Sequence, residues 1–313
     1  MPTVGATTML DRLAQKRSDE AFIQSKLKEP ATRILLLADL KPVIRSNAER
    51  TSAKLAWFSA EEIAGFGLPV SDSLFLGVDE AGVAHFVLAV NEHRTRHVPG
   101  AVEKLRPIVD LRSLAMQGSM APEELSLCGQ ARALAQWHEN ARCCGRCGGV
   151  TLVKDAGWRR SCWACKTEWF PRTDPVVIML VTDGERCLLA HEHRYAKMYD
   201  QKMYSALAGF IEPGEDIENA VRREVMEETS IRVGAVTYQS SQPWPFPHSL
   251  MIGCFGHAET TDITIDSGEI ADARWFTRKD ARLMLEKRHP EGFHVPGRQA
   301  IANVLIRQFV EEG

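Results

Sequence analysis

The pattern of apolar and polar positions divides the chain into stretches of different character. From Ala31 to Val90 apolar residues come in strand-length runs. Ile34-Leu35-Leu36-Leu37 is apolar at every position, and the runs Ser73–Val78 and Val83–Val90 flank Asp79-Glu80-Ala81-Gly82 as in a β-hairpin. Residues 1 to about 25 are polar and helix-leaning and read as a flexible lead. From Leu105 to about Arg142 the spacing becomes helical. Pro122 stands at a first helical position, and Glu123-Glu124 follow in the first turn, where acid complements the helix dipole. After a cysteine-rich stretch the strands resume with Val176–Val181, a turn at Thr182-Asp183-Gly184-Glu185, and Arg186–Ala190. His191 and His193 continue that alternation and are expected to be exposed. Between Asp216 and Thr229, Ile217, Val221 and Val225 recur every fourth residue, with Ala220 widening the stripe, so one helical face should be buried.

Length and charge bound the possibilities. The 313 residues suit about two domains, and 44% apolar with 25% charged residues is the balance of an ordinary folded protein. The net charge of −3 lacks the basic bias of a dedicated DNA binder. Apolar runs such as Val176–Val181 are far too short to span a bilayer. Asp11, Arg12 and Lys16 follow Met9-Leu10 too closely for a secretory leader, and Glu311-Glu312-Gly313 resembles no anchor, so a cytoplasmic protein without membrane contact is expected.

Of eight cysteines, five lie between 143 and 165. Cys144-x-x-Cys147 and Cys162-x-x-Cys165 are separated by fourteen residues, the ligand spacing of a structural zinc ribbon. Four thiolates would close the shell of one Zn²⁺ per chain. The alternatives are disulfides or reduced core thiols; without a secretion signal the first is disfavoured. Cys143 is an ambiguous neighbour, although pairing it with Cys147 would give CxxxC. Cys128, Cys187 and Cys254 lie in apolar surroundings and read as core residues. The ribbon interleaves Lys154, Arg159, Arg160 and Lys166 with Trp158, Trp163 and Trp169, a composition that suits RNA.

Glu224, Glu227 and Glu228 project from one edge of the expected helix. Such carboxylates repel one another unless a hard divalent cation such as Mg²⁺ or Mn²⁺ gathers them. Taken alone they could equally be a solvated acidic face balanced by Arg222 and Arg223. Their spacing carries more: Gly209-x5-Glu215-x7-Arg223-Glu224-Val225-x-Glu227-Glu228 resembles the Nudix signature at every fixed position but one. Ser230 stands where the family has its last glycine. If the left-handed conformation persists there, serine should cost on the order of 1 kcal/mol.

A second string, Ser241-Gln242-Pro243-Trp244-Pro245-Phe246-Pro247-His248-Ser249, alternates three prolines with two aromatics. It reads as a rigid extended segment without regular ladder bonding, suited to holding flat rings, although a proline-rich docking site or a buried loop has the same composition. It is similar to the Ser-Gln-Pro-Trp-Pro-Phe-Pro-x-Ser motif of the NADH pyrophosphatase branch of the Nudix family, which also carries a four-cysteine ribbon before its Nudix domain. The resemblance covers about Cys144 to Ile270.

An α+β protein is expected: the resemblance implies a zinc ribbon (141–170) and a Nudix α/β/α sandwich with a mixed sheet (171–313), and an amino-terminal α/β domain (1–140) is placed by position. It implies metal-dependent hydrolysis of NAD(H) to (reduced) nicotinamide mononucleotide and AMP, removal of NAD caps from RNA as a second activity, and a homodimer. Glu224, Glu228 and Glu227 would bind Mg²⁺ or Mn²⁺ with the carbonyl of Ala208 and with Glu269, although Glu269 could equally be an exposed turn acid. Glu227 could also serve as base, and Arg223 would orient the glutamates. Gln242, Pro243, Trp244, Pro245, Phe246, Pro247, His248 and Ser249 would line the dinucleotide site. Phe170 would stack on adenine, or be a core aromatic at the ribbon edge. Ala300 would offer a backbone contact. A Nudix hydrolase for ADP-ribose or diadenosine compounds, and a ribbon-containing nucleic-acid-binding regulator with a decayed hydrolase, are the alternatives.

Overall fold

The computed structural model describes residues 10–47, 52–91, 108–193 and 202–312. The start of the expected lead and the onset of the helical stretch at Leu105 lie outside them. The chain divides into two compact units, one ending at Arg172 but taking in Pro245–His248, the other comprising Thr173–Trp244 and the chain from Ser249 onward.

In the first unit, helix α1 (Glu20–Lys28) precedes strands β1 (Arg33–Ala38), β2 (Lys41–Pro42), β3 (Ile44–Ser46), β4 (Ala53–Leu55) and β5 (Trp57–Phe58). Helix α2 (Ala60–Gly65), strands β6 (Leu74–Val78) and β7 (Ala84–Val90), and helices α3 (Leu111–Gln117) and α4 (Pro122–Asn140) follow. The expected lead is therefore partly an ordered helix: the Asp19 carboxylate accepts the Phe22 amide at 2.9 Å, and Ile23 and Leu27 are buried. β1 runs parallel to β7, and β6 pairs antiparallel with β7 as the hairpin pattern predicts. The all-apolar run in β1 is explained by burial on both faces. Leu35 and Leu37 pack into a core with Leu127, Ala131 and Leu134 of α4, while Ile34 and Leu36 pack with Ile23, Leu27 and Ile63 of α1 and α2. Each such side chain contributes about 1.5–3 kcal/mol of hydrophobic stabilisation. The unit ends in an antiparallel sheet of β8 (Thr151–Lys154), β9 (Arg159–Cys162) and β10 (Glu168–Trp169).

The second unit contains β11 (Asp174–Thr182), β12 (Arg186–Glu192), β13 (Leu207–Phe210), α5 (Ile217–Thr229), β14 (Val233–Trp244), β15 (Ser249–Ala258), β16 (Ile270–Thr277), α6 (Arg278–Leu285) and α7 (Ile301–Glu311). Its mixed sheet has the order β14-β15-β11-β12-β16, with β13 also on β11; β11 and β15 are parallel. Alternate residues of β11 serve opposite layers. Val177, Met179 and Val181 pack with Ala220, Val221 and Val225 of α5; Ile178 and Leu180 pack with Leu305 and Ile306 of α7 and Ala281 and Met284 of α6. This is an α/β/α sandwich. His191 departs from expectation: it is buried, with Nδ1 2.8 Å from the Met203 carbonyl, because Ser205 pairs with Ala190 and the segment brings the Tyr204 ring to 5.9 Å from the imidazole. His193 is exposed.

No helix among the described residues is long and apolar enough to cross a membrane. Cys128, Cys187 and Cys254 are core residues, and burial pushes the first two thiols up to about 12 and the third to about 11.

Candidate active site

The acidic helix α5 is built as its sequence suggests. Asp216 caps it by accepting the Asn219 amide at 2.7 Å, and its apolar face is held against β11. The opposite edge presents the glutamates at graded depth: Glu228 is 6% exposed, the Glu224 side chain 12% and the Glu227 side chain 59%. Arg223 organises them. Its Nε and one terminal nitrogen each lie 2.8 Å from a Glu215 carboxylate oxygen, a two-pronged pair, and that same nitrogen donates to the Phe210 carbonyl at 2.9 Å. The other terminal nitrogen reaches Glu224 at 2.9 Å and Glu227 at 3.1 Å. One guanidinium thus ties the helix to β13 and to the turn before the helix. Arg223 holds the Glu215 carboxyl below the usual range. At Glu224 burial dominates and raises the carboxyl despite Arg223, and the nearby charges of Glu227 and Glu269 add to the rise.

Gly209 accounts for where Glu224 sits. A Cβ on Gly209 would lie 1.8 Å from the Glu224 carboxyl carbon and 2.0 Å from its Oε1. The carboxylate occupies the space a side chain would take, beside Ala208, which pairs with Ile178 in the sheet. Glu269 is exposed in the loop that wraps the carboxyl end of α5. In that loop the Asp266 amide donates to the Glu228 carbonyl and the Thr264 amide to that of Thr229, both at 3.0 Å. Carboxylates and a backbone carbonyl are the hard oxygen donors a divalent cation takes, and the glycine-lined cradle leaves the Glu224 oxygens their place.

The second candidate metal centre lies in the first unit. The sulfurs of Cys144, Cys147, Cys162 and Cys165 all lie within 4.8 Å of one another, and among the described residues they are the one such set of potential ligands. The 3.6 Å and 3.5 Å separations of the 144–165 and 147–162 pairs approach the edge of about 3.8 Å in a tetrahedron with metal–sulfur bonds of about 2.3 Å. Gly149 lets the chain pass close, since a Cβ there would lie 3.3–3.4 Å from Ala164 Cβ and the sulfurs of Cys162 and Cys147. The Thr167 hydroxyl, 3.1 Å from Cys165, helps lower that thiol to about 6. Cys143 is exposed and outside the set.

Two family models match the chain: a NUDIX domain over residues 172–295 and an NADH pyrophosphatase-like rudimentary NUDIX domain over residues 31–137. The chain is 35% identical to the NAD-capped RNA hydrolase NUDT12 of Macaca fascicularis, over 97% of this chain and 72% of that one. The chain belongs to the NADH pyrophosphatase branch of the Nudix hydrolases. It is also 37% identical to the NAD-capped RNA hydrolase NudC of Mycobacterium bovis, over 77% and 76% of the two chains. With the human mitochondrial NAD(P)H pyrophosphatase NUDT13 it shares 32% identity, over 88% and 84%. Nudix hydrolases use divalent metals, consistent with the hard donor set on α5.

Within this Nudix frame the remaining signature residues find their places. Ser230, the departure from the signature, is the C-cap of α5 at φ 59°, ψ 15°, the left-handed conformation for which a glycine is suited. The proline-rich string differs from expectation. Gln242, Pro243 and Trp244 pair with Met251, Leu250 and Ser249, so the segment is a β-ladder turned by a Pro245–His248 tip. Pro243 is accommodated because β14 is an edge strand, and Pro245 and Pro247 lie in the tip outside it. Both ends of the Gln242 amide are engaged: Nε2 donates to the Gln299 carbonyl at 2.7 Å, and Oε1 accepts the Ile301 amide at 2.9 Å, on either side of Ala300, the N-cap of α7. The tip packs in the first unit. The Arg132 guanidinium lies 5.4 Å from the Phe246 ring centroid, and a Cβ on Gly129 would be 2.9 Å from Pro245. Phe170 follows β10 in that unit and is 61% exposed.

Sequence reasoning did not assign Glu215 to the site, nor foresee the contacts of Arg132 with Phe246 and of Gln299 with Gln242. Glu215 is a fixed signature position eight residues before Arg223, and that invariant spacing was the available signal. The other two depend on tertiary contacts that no local pattern announces.

Proposed function

We propose that the chain hydrolyses the diphosphate of NAD(H) to (reduced) nicotinamide mononucleotide and AMP, and removes NAD caps from RNA. The observation that carries this reading is the Arg223-centred carboxylate array seated on Gly209, in a chain that also holds the complete SQPWPFPxS string. The named activities of the NUDT12, NudC and NUDT13 relatives support it.

Glu224 and Glu228 would hold Mg²⁺ or Mn²⁺, joined by Glu227, the Ala208 carbonyl and Glu269. When bound, the cation neutralises charge on the diphosphate oxygens and makes water a better nucleophile. The chain's own groups do the rest. Arg223 fixes the Glu224 and Glu227 carboxylates before substrate arrives, so little reorganisation is left for the reaction. Glu227, the most exposed of the three, would accept the proton of the attacking water. One phosphorus–oxygen bond forms, the bridging one breaks, and the second phosphate leaves. The lining assigned by resemblance is Gln242–Ser249, with Phe170 on the adenine and a backbone contact at Ala300. Given its two internal bonds, Gln242 would act chiefly by fixing β14 to α7.

Cys144, Cys147, Cys162 and Cys165 would hold one structural Zn²⁺, leaving no open position for chemistry. We further propose the domain limits 1–140, 141–170 and 171–313, a homodimer and a cytoplasmic location. The deciding experiment incubates the purified protein with NADH and Mg²⁺ or Mn²⁺ and identifies products by mass. Nicotinamide mononucleotide and AMP are expected; no turnover of NADH while ADP-ribose or a diadenosine compound is cleaved would reassign the substrate.

A further inference from the structure

The two sides of the ribbon sheet differ in how far they are buried. Directly opposed residues of antiparallel strands share a face, and the registers Thr151↔Cys162, Val153↔Arg160 and Trp169↔Arg160 define one side. Thr151, Arg160 and Cys162 are buried there, while Val153 is 46% exposed. The registers Leu152↔Ser161, Lys154↔Arg159 and Glu168↔Ser161 define the other. Val150 and Trp163 extend it by alternation, joined by a 3.0 Å bond from the Trp163 amide to the Val150 carbonyl. This outer side exposes Val150 by 57%, Leu152 by 50% and Trp163 by 62%.

The ribbon segment as a whole carries more cations than acids, although Arg160 lies on the opposite side and Glu168 on this one. Residues 141–170 hold six cations (Arg142, Arg146, Lys154, Arg159, Arg160, Lys166) and two acids (Asp155, Glu168), in a chain whose net charge is −3. Both acids are engaged by Arg159, which meets Asp155 at 2.9 Å and also pairs with Glu168. A bound zinc with its four thiolates would take back two of the positive charges and still leave an excess.

The structure also sorts the residues that the sequence interleaves. Arg160 is buried, with Nε donating to the Thr151 hydroxyl at 2.7 Å and a terminal nitrogen 2.7 Å from His138 Nδ1. Trp158 donates its indole N–H to the Phe75 carbonyl at 2.7 Å and lies under Arg17, whose guanidinium carbon is 3.8 Å from the ring centroid. Trp169 packs near Gly145, where a Cβ would meet the indole at 3.3 Å. Of these, Trp163, Lys154 and Lys166 are left exposed, as are Arg142 and Arg146 of the same segment, and Lys166 Nζ donates to the Trp163 carbonyl at 2.7 Å. An exposed flat ring on a sheet, flanked by cations, matches the two features of a single strand of nucleic acid: unstacked bases and a phosphate at every step.

We propose that this outer face of the ribbon binds the single-stranded RNA body behind the NAD cap, with a base stacked on Trp163 and phosphates held by Lys154 and Lys166. The inference rests on capped RNA being a substrate, and its test separates the two claims. Full-length wild type, Trp163→Ala and Lys154→Glu/Lys166→Glu, each checked for metal content, are titrated into a labelled 5′-hydroxyl single-stranded RNA of about 20 nucleotides, longer than one stacking site. Fluorescence anisotropy is read over a range of salt. Each variant is expected to lose about tenfold in RNA affinity, and the charge reversal should flatten the salt slope by about 1.4, two phosphates at about 0.7 each. kcat/KM should fall by about tenfold on NAD-capped RNA and stay unchanged on NADH, which has no RNA body.

Absence of RNA binding by wild type, equal affinity in all three proteins, or a parallel fall on NADH and capped RNA would overturn the proposal. So would a changed sedimentation coefficient with RNA affinity intact, which would make the face a protein interface. If uncapped RNA binding depends on these residues while capped RNA is not cleaved, the cap-removal reading fails and the RNA face stands.

Discussion

Gly209→Ala tests the contact on which the acidic site is built. The new Cβ would lie 1.8 Å from the Glu224 carboxyl carbon, whereas ordinary contact begins at 3.4 Å, so a retreat of about 1.6 Å is required. The strand cannot easily supply it, because Gly209 pairs with Val177 inside the sheet. The carboxylate must therefore move, and Arg223, 2.9 Å from it, must move as well. Misplacing a reacting group by about 1 Å can cost about 10²-fold in rate, close to 2.7 kcal/mol of transition-state stabilisation. Overpacking should also cost about 1–3 kcal/mol of stability, offset by roughly 0.4–1 kcal/mol from the stiffer unfolded chain. The assay is the initial rate of NADH hydrolysis across a Mg²⁺ titration, with Mn²⁺ binding followed independently by calorimetry. Gly209→Ala should need more metal and turn over about 100-fold more slowly. Combining it with Glu224→Ala should add little, since both changes remove the same placed carboxylate. Wild-type rates and metal dependence in Gly209→Ala, or full additivity in the double variant, would refute the reasoning.

Glu228→Gln keeps the shape of a buried side chain and removes its charge, so kcat should fall by orders of magnitude with the melting temperature unchanged; near-normal kcat would remove Glu228 from the mechanism. Cys162→Ser should abolish stoichiometric zinc, read by elemental analysis, and reduce soluble yield, because the sulfur is fully buried in the four-cysteine set; a stable zinc-free protein with full activity would contradict a structural role. Ser230→Gly should relieve left-handed strain of about 1–2 kcal/mol and lose a weak 3.2 Å hydroxyl bond to the Thr264 carbonyl, a net gain of about 0.5–1 kcal/mol measured by denaturant unfolding. The Glu215 carboxyl is held below its ordinary 4.5, so its pairing with Arg223 stabilises the fold above that pH and is lost as pH falls through the folded-state value. Glu215→Gln should accordingly be less stable than wild type at neutral pH, and the gap should close below about 4.5 in pH-dependent urea melts.

Much of this architecture was readable in advance, for identifiable reasons. The α5 stripe, the Pro122 helix start and the β6–β7 hairpin rest on local periodicity and turn chemistry, which tertiary packing reinforced. The four cysteines were legible because two CxxC turns constrain sulfur geometry by themselves. His191 was misread because alternation assigns a residue to a face without saying whether that face is covered, and Met203 and Tyr204 of a later segment meet it. The proline-rich string was misread because proline argues against a central strand, and nothing local revealed that β14 lies at a sheet edge. The signature's spacing marked Gly209 as required; only the 1.8 Å approach of Glu224 supplies the reason.

The two bonds of the Gln242 amide reach 57 and 59 positions down the chain. The wall proposed to meet the dinucleotide thus takes part of its stiffness from the start of α7. Cutting the chain before α7, or displacing that helix, would slacken recognition while every signature residue stayed in place. A shortened version that keeps all its motifs yet works poorly would be an expected casualty of this clasp.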